Sequence, residues 1–273
     1  MSNTSGESAT LDVAAIKADF PILNKPINDR PLVFLDSAST SQKPVQVLDT
    51  MRDYYESTNA NVHRGAYFLS DKASRAMEGA RKKVARFIGA PDSDEVIFTK
   101  NATEALNLIA ASWGRANLNR GDVVVLSLIE HHANIVPWHM LAAERGIELR
   151  FIGIGDDGLL DLSNLDELLE GAKLVSVTAM GNVTGAIVPV QRIAKAAHAV
   201  GALCAVDACQ LVPHIPTNVA ELDIDFATFS GHKMCGPTGI GVLWARKEIL
   251  EAMPPFLGGG GMIANVTIDG FTT

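Results

Sequence analysis

Seven short apolar runs, separated by segments with helical spacing, limit what this chain can fold into. The runs are "EVIFT" (95–99), "DVVVLS" (122–127), "IELRFIG" (147–153), "KLVSVTAM" (173–180), "ALCAVDA" (202–208), "FATFS" (226–230) and "IGVLWA" (240–245). Between them lie the helix-like "TEALNLIAASWG", "ANIVPWHMLAAERG", "LSNLDELLEGA" and "VQRIAKAAHAVG". Continuous apolar strands alternating with amphipathic helices predict an α/β fold, a mostly parallel (mixed) sheet with helices on both faces. In such sheets ligands gather at the carboxyl ends of the strands. With 47% hydrophobic and 20% charged residues among 273, the chain has ample material for a large core.

Charge narrows the partners. A formal net charge of −8 argues against nucleic acid or an anionic membrane, which select clustered Lys and Arg. No apolar run reaches the 18 or so residues of a membrane span. The opening "MSNTSGESATLDVAAIKADF" lacks a basic region and an apolar core, so it reads as a short polar tail before a helix. Cys204, Cys209 and Cys235 form no CxxC pair, which points to a reducing, cytoplasmic setting rather than to disulfides or zinc.

Polar residues cluster where the strands end. Lys233 follows "DFATF" between Ser-Gly-His and a Gly/Pro-rich loop; it caps the sheet, pairs with a carboxylate, or offers an amine to a carbonyl. Asp207 ends an apolar strand with Gln210 three residues on, as a cap, a partner of a buried Arg, or a partner for a protonated ring nitrogen. Thr103 and Glu104 open a helix after a strand, as an ordinary N-cap or a phosphate turn. His131 and His132 follow "DVVVLS" and could be satisfied imidazoles or a stacking, proton-moving group; no third ligand is evident, so no metal centre is expected. Asn182 lies in a Gly-rich turn, where Asn is common for conformational reasons alone.

Taken together, these exits supply an anion cradle, a stacking ring, an amide, a carboxylate and an amine. Those are the needs of pyridoxal 5′-phosphate.

The motifs "FLDSAST", "NVHRGAYFLS", "EHHANIVPW", "VDACQ", "SGHKMCGPTGIGVLW" and "GGGGMI" make the chain, from about Phe34 to Thr273, resemble the SufS-type cysteine desulfurases. These are fold-type I pyridoxal-phosphate enzymes of the class V aminotransferase family. The resemblance implies a seven-stranded large domain over residues 31–273, with residues 1–30 belonging beside a small C-terminal domain. It implies Lys233 as the lysine that bonds the cofactor aldehyde, with Thr103, Ser230 and His232 on the phosphate. It implies His132 stacked on the ring and active in proton transfer, Asp207 at the ring nitrogen, Gln210 at the phenolic oxygen and Asn182 near the substrate carboxylate. Conversion of L-cysteine to L-alanine and an enzyme-bound persulfide follows, with sulfur passing to an acceptor of SufE or SufU type for iron–sulfur assembly. A homodimer with His63 and Arg64 near the partner's site is implied too. Family members carry the nucleophilic cysteine, the carboxylate-binding arginine and the small domain beyond the position of Thr273, so a truncated chain is expected. Alternatives are a selenocysteine lyase, another class V lyase or aminotransferase, or a non-catalytic fragment of this fold.

Overall fold

The computed structural model describes residues 11–273 apart from Arg64. All seven runs form strands: β1 (Val96–Thr99), β2 (Val123–Ser127), β3 (Glu148–Ile152), β4 (Ala172–Thr178), β5 (Leu203–Asp207), β6 (Phe226–Ser230) and β7 (Gly241–Ala245). They make one sheet in the order β1-β7-β6-β5-β4-β2-β3. Neighbours from β6 to β3 pair in parallel, and β7 alone runs against both β1 and β6.

Alternate residues of a strand feed opposite faces, as the pleat requires. Val123 and Val125 join one core with Ile193, Ala194 and Ala197 of helix Val190–Ala199. Val124 and Leu126 join the other with Leu106, Ile109, Trp138 and Leu141. Both faces are therefore covered, which explains why the strands read as unbroken apolar runs.

Two helical readings shift. The helix after β1 starts at Ala102, one residue before the first residue of the predicted segment, and widens into a π-helical stretch over Ile109–Gly114. The "LSNLDELLEGA" segment holds only one turn, Leu165–Leu168. The glycine-rich end closes on a two-residue ribbon, Asn265–Val266 against Phe271–Thr272, after a helix at Lys247–Ala252.

The antiparallel strand matters for the site. Because β7 runs backwards, its first residue lies at the edge where the parallel strands end, and Gly241 pairs with both Thr99 and Ser230. A Cβ on Gly241 would stand 2.5 Å from the backbone C and Cα of Asn101, so only glycine lets the helix start approach this closely. Gly241→Ala is therefore expected to destabilise the fold by about 1–3 kcal/mol, as overpacking does. Chemical denaturation would check this, and an unchanged midpoint would contradict it.

Candidate active site

A cavity of about 420 Å3 opens at this edge, within the size range of small-molecule sites. Thr103, Asn182, Asp207, Ser230, His232 and Lys233 all line it. They come from four different strand exits, brought together by the parallel order of the sheet.

The turn after β1 is built by local hydrogen bonds. Asn101 caps the helix by accepting from the Glu104 N–H at 2.9 Å, and Glu104 reaches back to the Lys100 N–H at 2.6 Å. This is a reciprocal capping arrangement. Ser230 Oγ accepts from the Ala102 N–H at 2.9 Å, which ties the end of β6 to the helix start. Thr103, next along, faces the cavity beside the positive end of the helix.

Asp207 ends β5 almost fully buried. Its Oδ1 accepts from the Cys209 N–H at 3.0 Å, and its carbonyl accepts from Ala179 N–H at 2.9 Å. Lys233 ends a short 3-10 turn, Gly231–Lys233, on the cavity wall. Among the described residues it makes no ion pair.

A segment from the N-terminal part braces that lysine turn. The His232 carbonyl accepts from the Ser41 N–H at 2.9 Å, Ser41 Oγ at 3.0 Å, Thr40 Oγ1 at 3.1 Å and Lys43 Nζ at 3.2 Å. Ser41 Oγ also accepts from the Cys235 N–H at 2.7 Å, and His232 Nδ1 lies 3.1 Å from Thr40 Oγ1. Partial burial, with Lys233 and Lys43 nearby, holds the His232 imidazole below its ordinary pKa. Asp36, Ala38 and Ser39 of the same segment line the cavity. The sequence assigns these residues no role beyond the motif "FLDSAST"; the available signal is a run of small hydroxyl-bearing residues just ahead of the helix Val45–Asp53.

Two expected residues sit elsewhere. His131, not His132, lines the cavity, because the turn His132–Asn134 aims the first imidazole of the pair inward. His131 Nδ1 accepts from the Ala133 N–H at 3.1 Å, which leaves Nε2 to carry the proton of the neutral ring. His132 lines a neighbouring cavity of about 310 Å3 that shares His131 and Asn182 with the first. Two adjacent histidines gave no sequence signal to choose between them. Gln210 does not reach the cavity either: its Nε2 donates to the Ala38 carbonyl at 2.7 Å, fixing the segment that forms the wall. His63 is described and Arg64 lies outside the described residues.

Below the His131 turn lies a buried carboxyl, Glu130, which sequence reasoning passed over. Burial pushes it up to about 7, with the Asp207 charge adding to the shift and three hydrogen bonds opposing it. Folded Glu130 therefore holds its proton more tightly than the unfolded chain, whose ordinary value is 4.5. Its contribution to stability is complete below about 4.5 and is lost as pH rises to about 7, by roughly 3 kcal/mol. Denaturation of wild type and Glu130→Gln at pH 5 and pH 8 should show the wild-type advantage shrinking by about that amount. A difference independent of pH would contradict it.

Two of the three thiols are buried and held in the thiol form. Cys204 is inside the core and Cys209 packs behind Asp207; burial pushes both thiols well up. Cys235 follows the lysine turn in a left-handed conformation, φ 63°.

The site's residues fit pyridoxal phosphate on the structure's own terms. The cavity has room, an amine with no ion pair among the described residues, a carboxylate with one oxygen uncommitted to Cys209, and a helix start for an anion. Among the described residues, no helix is long and apolar enough to cross a membrane.

Comparison with known proteins finds relatives along nearly the whole chain. A Streptomyces coelicolor protein named "Probable cysteine desulfurase" is 53% identical over 268 residues, covering 96% of this chain and 64% of its own length. The apo structure of a cysteine desulfurase from Thermococcus onnurineus superposes with a TM-score of 0.89 at 42% identity, covering 95% of this chain and 63% of that one. An Escherichia coli cysteine desulfurase structure gives 0.86 at 40% identity, covering 95% and 64%. The chain thus spans a little under two thirds of the length of these relatives. Residues 33–273 match the profile described as aminotransferase class-V, and the chain belongs to that family.

Proposed function

We propose that this chain carries the cofactor site of a pyridoxal-phosphate-dependent cysteine desulfurase of the SufS type. The observation that supports it most is the gathering of Lys233, Asp207 and the helix start at Thr103 around one cavity. The names of the relatives support cysteine as substrate. Lys233 would bond the cofactor aldehyde, and Thr103, Ser230 and His232 would hold the phosphate. Asp207 would face the ring nitrogen, and His131 would cover the ring.

When bound, the cofactor supplies a sink for electrons released at the substrate α-carbon. The chain's own groups do the rest. The Lys233 amine would move the proton at the substrate α-carbon. Asp207 keeps a negative charge where the sink needs it. Asn182, on the cavity wall, orients the substrate carboxylate. His131, with its proton on Nε2, is placed to donate within the cavity. Sulfur leaves cysteine for a thiolate, which becomes a persulfide as alanine is released.

Cys204 and Cys209, buried with their thiols pushed up, are not that thiolate, and Cys235, two residues past Lys233 on the same loop, is not assigned the role. We extend the proposal to a cytoplasmic homodimer that hands persulfide sulfur to an acceptor of SufE or SufU type for iron–sulfur assembly. The test is to supply cysteine, pyridoxal phosphate and a reductant, and to quantify alanine and sulfide from any turnover-competent form. Alanine release that is unchanged by Cys235→Ser supports this reading; release abolished by that substitution alone contradicts it.

A further inference from the structure

Glu130 is buried next to the cavity and takes no part in the steps above. Among the described residues no cation pairs with it. Its Oε1 accepts from Ser127 Oγ and from the Thr178 N–H at 2.7 Å, and its Oε2 accepts from Asn134 Nδ2 at 2.7 Å. Asn134 is fully buried and pinned at its other end, where Oδ1 accepts from Ser176 Oγ at 2.6 Å and Trp138 Nε1 at 3.4 Å. The network joins the ends of β2 and β4 to the turn that carries His131.

A buried carboxyl with no cation partner among the described residues needs a reason, since a neutral isostere is often as stable. Here the hydrogen-bond inventory supplies one. Glutamine has nearly the same shape, but its NH2 has no lone pair to accept with. Whichever way that amide turns, its NH2 meets a donor, either the Asn134 NH2 or the Thr178 N–H. Asn134 cannot flip to help, because its own NH2 would then meet the Trp138 N–H. A carboxyl keeps a lone pair on each oxygen in either charge state, and the Ser127 hydroxyl can turn to accept when Glu130 is protonated. The geometry therefore calls for a carboxyl in this place.

We infer that Glu130 is the positioning residue for His131: through Asn134 it locks the 131–134 turn and so sets the imidazole on the cavity wall. Its importance for catalysis rests on the reading of the cavity as a cofactor site; its effect on the turn does not. The donor–acceptor logic predicts a specific repair. Exchanging the pair, Glu130→Gln with Asn134→Asp, returns one donor and one acceptor to each contact. The amide introduced at position 130 would then donate to the carboxylate introduced at position 134. The other oxygen of that carboxylate still accepts from Ser176 and Trp138.

The experiment reads the His131 ring resonances by NMR in the cofactor-free chain, with distant His198 as control, and pyridoxal-phosphate affinity alongside. Glu130→Gln should shift or broaden His131 while leaving His198 in place, and weaken cofactor binding at least tenfold. The double variant should restore the resonances and bring affinity back to within a few-fold of wild type. A general packing defect would not be mended by a second change of this kind. If Glu130→Gln fails to fold, recovery of the fold in the double variant is the supporting result. Wild-type His131 resonances in the single variant, or a double variant no better than the single, would overturn the inference. Failure of the wild-type chain to bind pyridoxal phosphate would sink the functional proposal instead, and the His131 resonances would still decide the positioning role.

Discussion

Lys233→Ala is expected to abolish covalent retention of pyridoxal phosphate, because among the described residues no other lysine lines the cavity. Some phosphate-driven binding should remain, since the helix start and Ser230 are untouched. The same substitution removes the group proposed to move the α-proton. Proton transfer by a positioned base is worth about 10²–10⁴-fold, so solvent exchange of the cysteine α-proton should fall by at least that range. The fold should survive, because among the described residues Lys233 forms no ion pair whose loss would leave a buried charge. Retention of cofactor through denaturation in the Lys233→Ala protein would show that the linkage lies elsewhere.

Asp207→Asn should have an effect almost as large, by a different route. Asn keeps an Oδ1 that can accept from the Cys209 N–H, so the turn after β5 should hold. What changes is the second position: an acceptor with negative charge becomes an NH2 donor facing the proposed ring nitrogen. The electron sink then loses its counter-charge. Exchange of the α-proton should fall on the order of a thousandfold, or about 4 kcal/mol of barrier. Cofactor binding, driven largely by phosphate, should weaken far less. Exchange at the wild-type rate would remove Asp207 from this role.

The sheet was legible because burial on both faces writes itself into the sequence as unbroken apolar runs. All seven strands appear within two residues of the expected bounds, from Val96 to Ala245. The strand exits were legible for a related reason: a polar residue at the end of such a run stands out, as Asp207 and Lys233 do. What stayed hidden depends on direction and distance. Nothing in "EHHAN" says which imidazole turns inward, since the answer lies in how Asn134 is tethered across 42 residues to Ser176. The bracing of His232 by Thr40 and Ser41 joins residues about 190 apart and leaves no local pattern. The resemblance implies Gln210 at the phenolic oxygen, whereas one N–H of its amide donates to the Ala38 carbonyl and the residue does not line the cavity.

The central claim is that these strand exits form one pyridoxal-phosphate site organised on Lys233. Its most direct test is to incubate the chain with pyridoxal phosphate, reduce with borohydride, digest, and map the modified peptide by mass spectrometry. The account predicts a single pyridoxyl-phosphate increment on Lys233, diminished when inorganic phosphate competes for the helix start at Thr103. An increment on another lysine, or none at Lys233 in a folded chain, would contradict it.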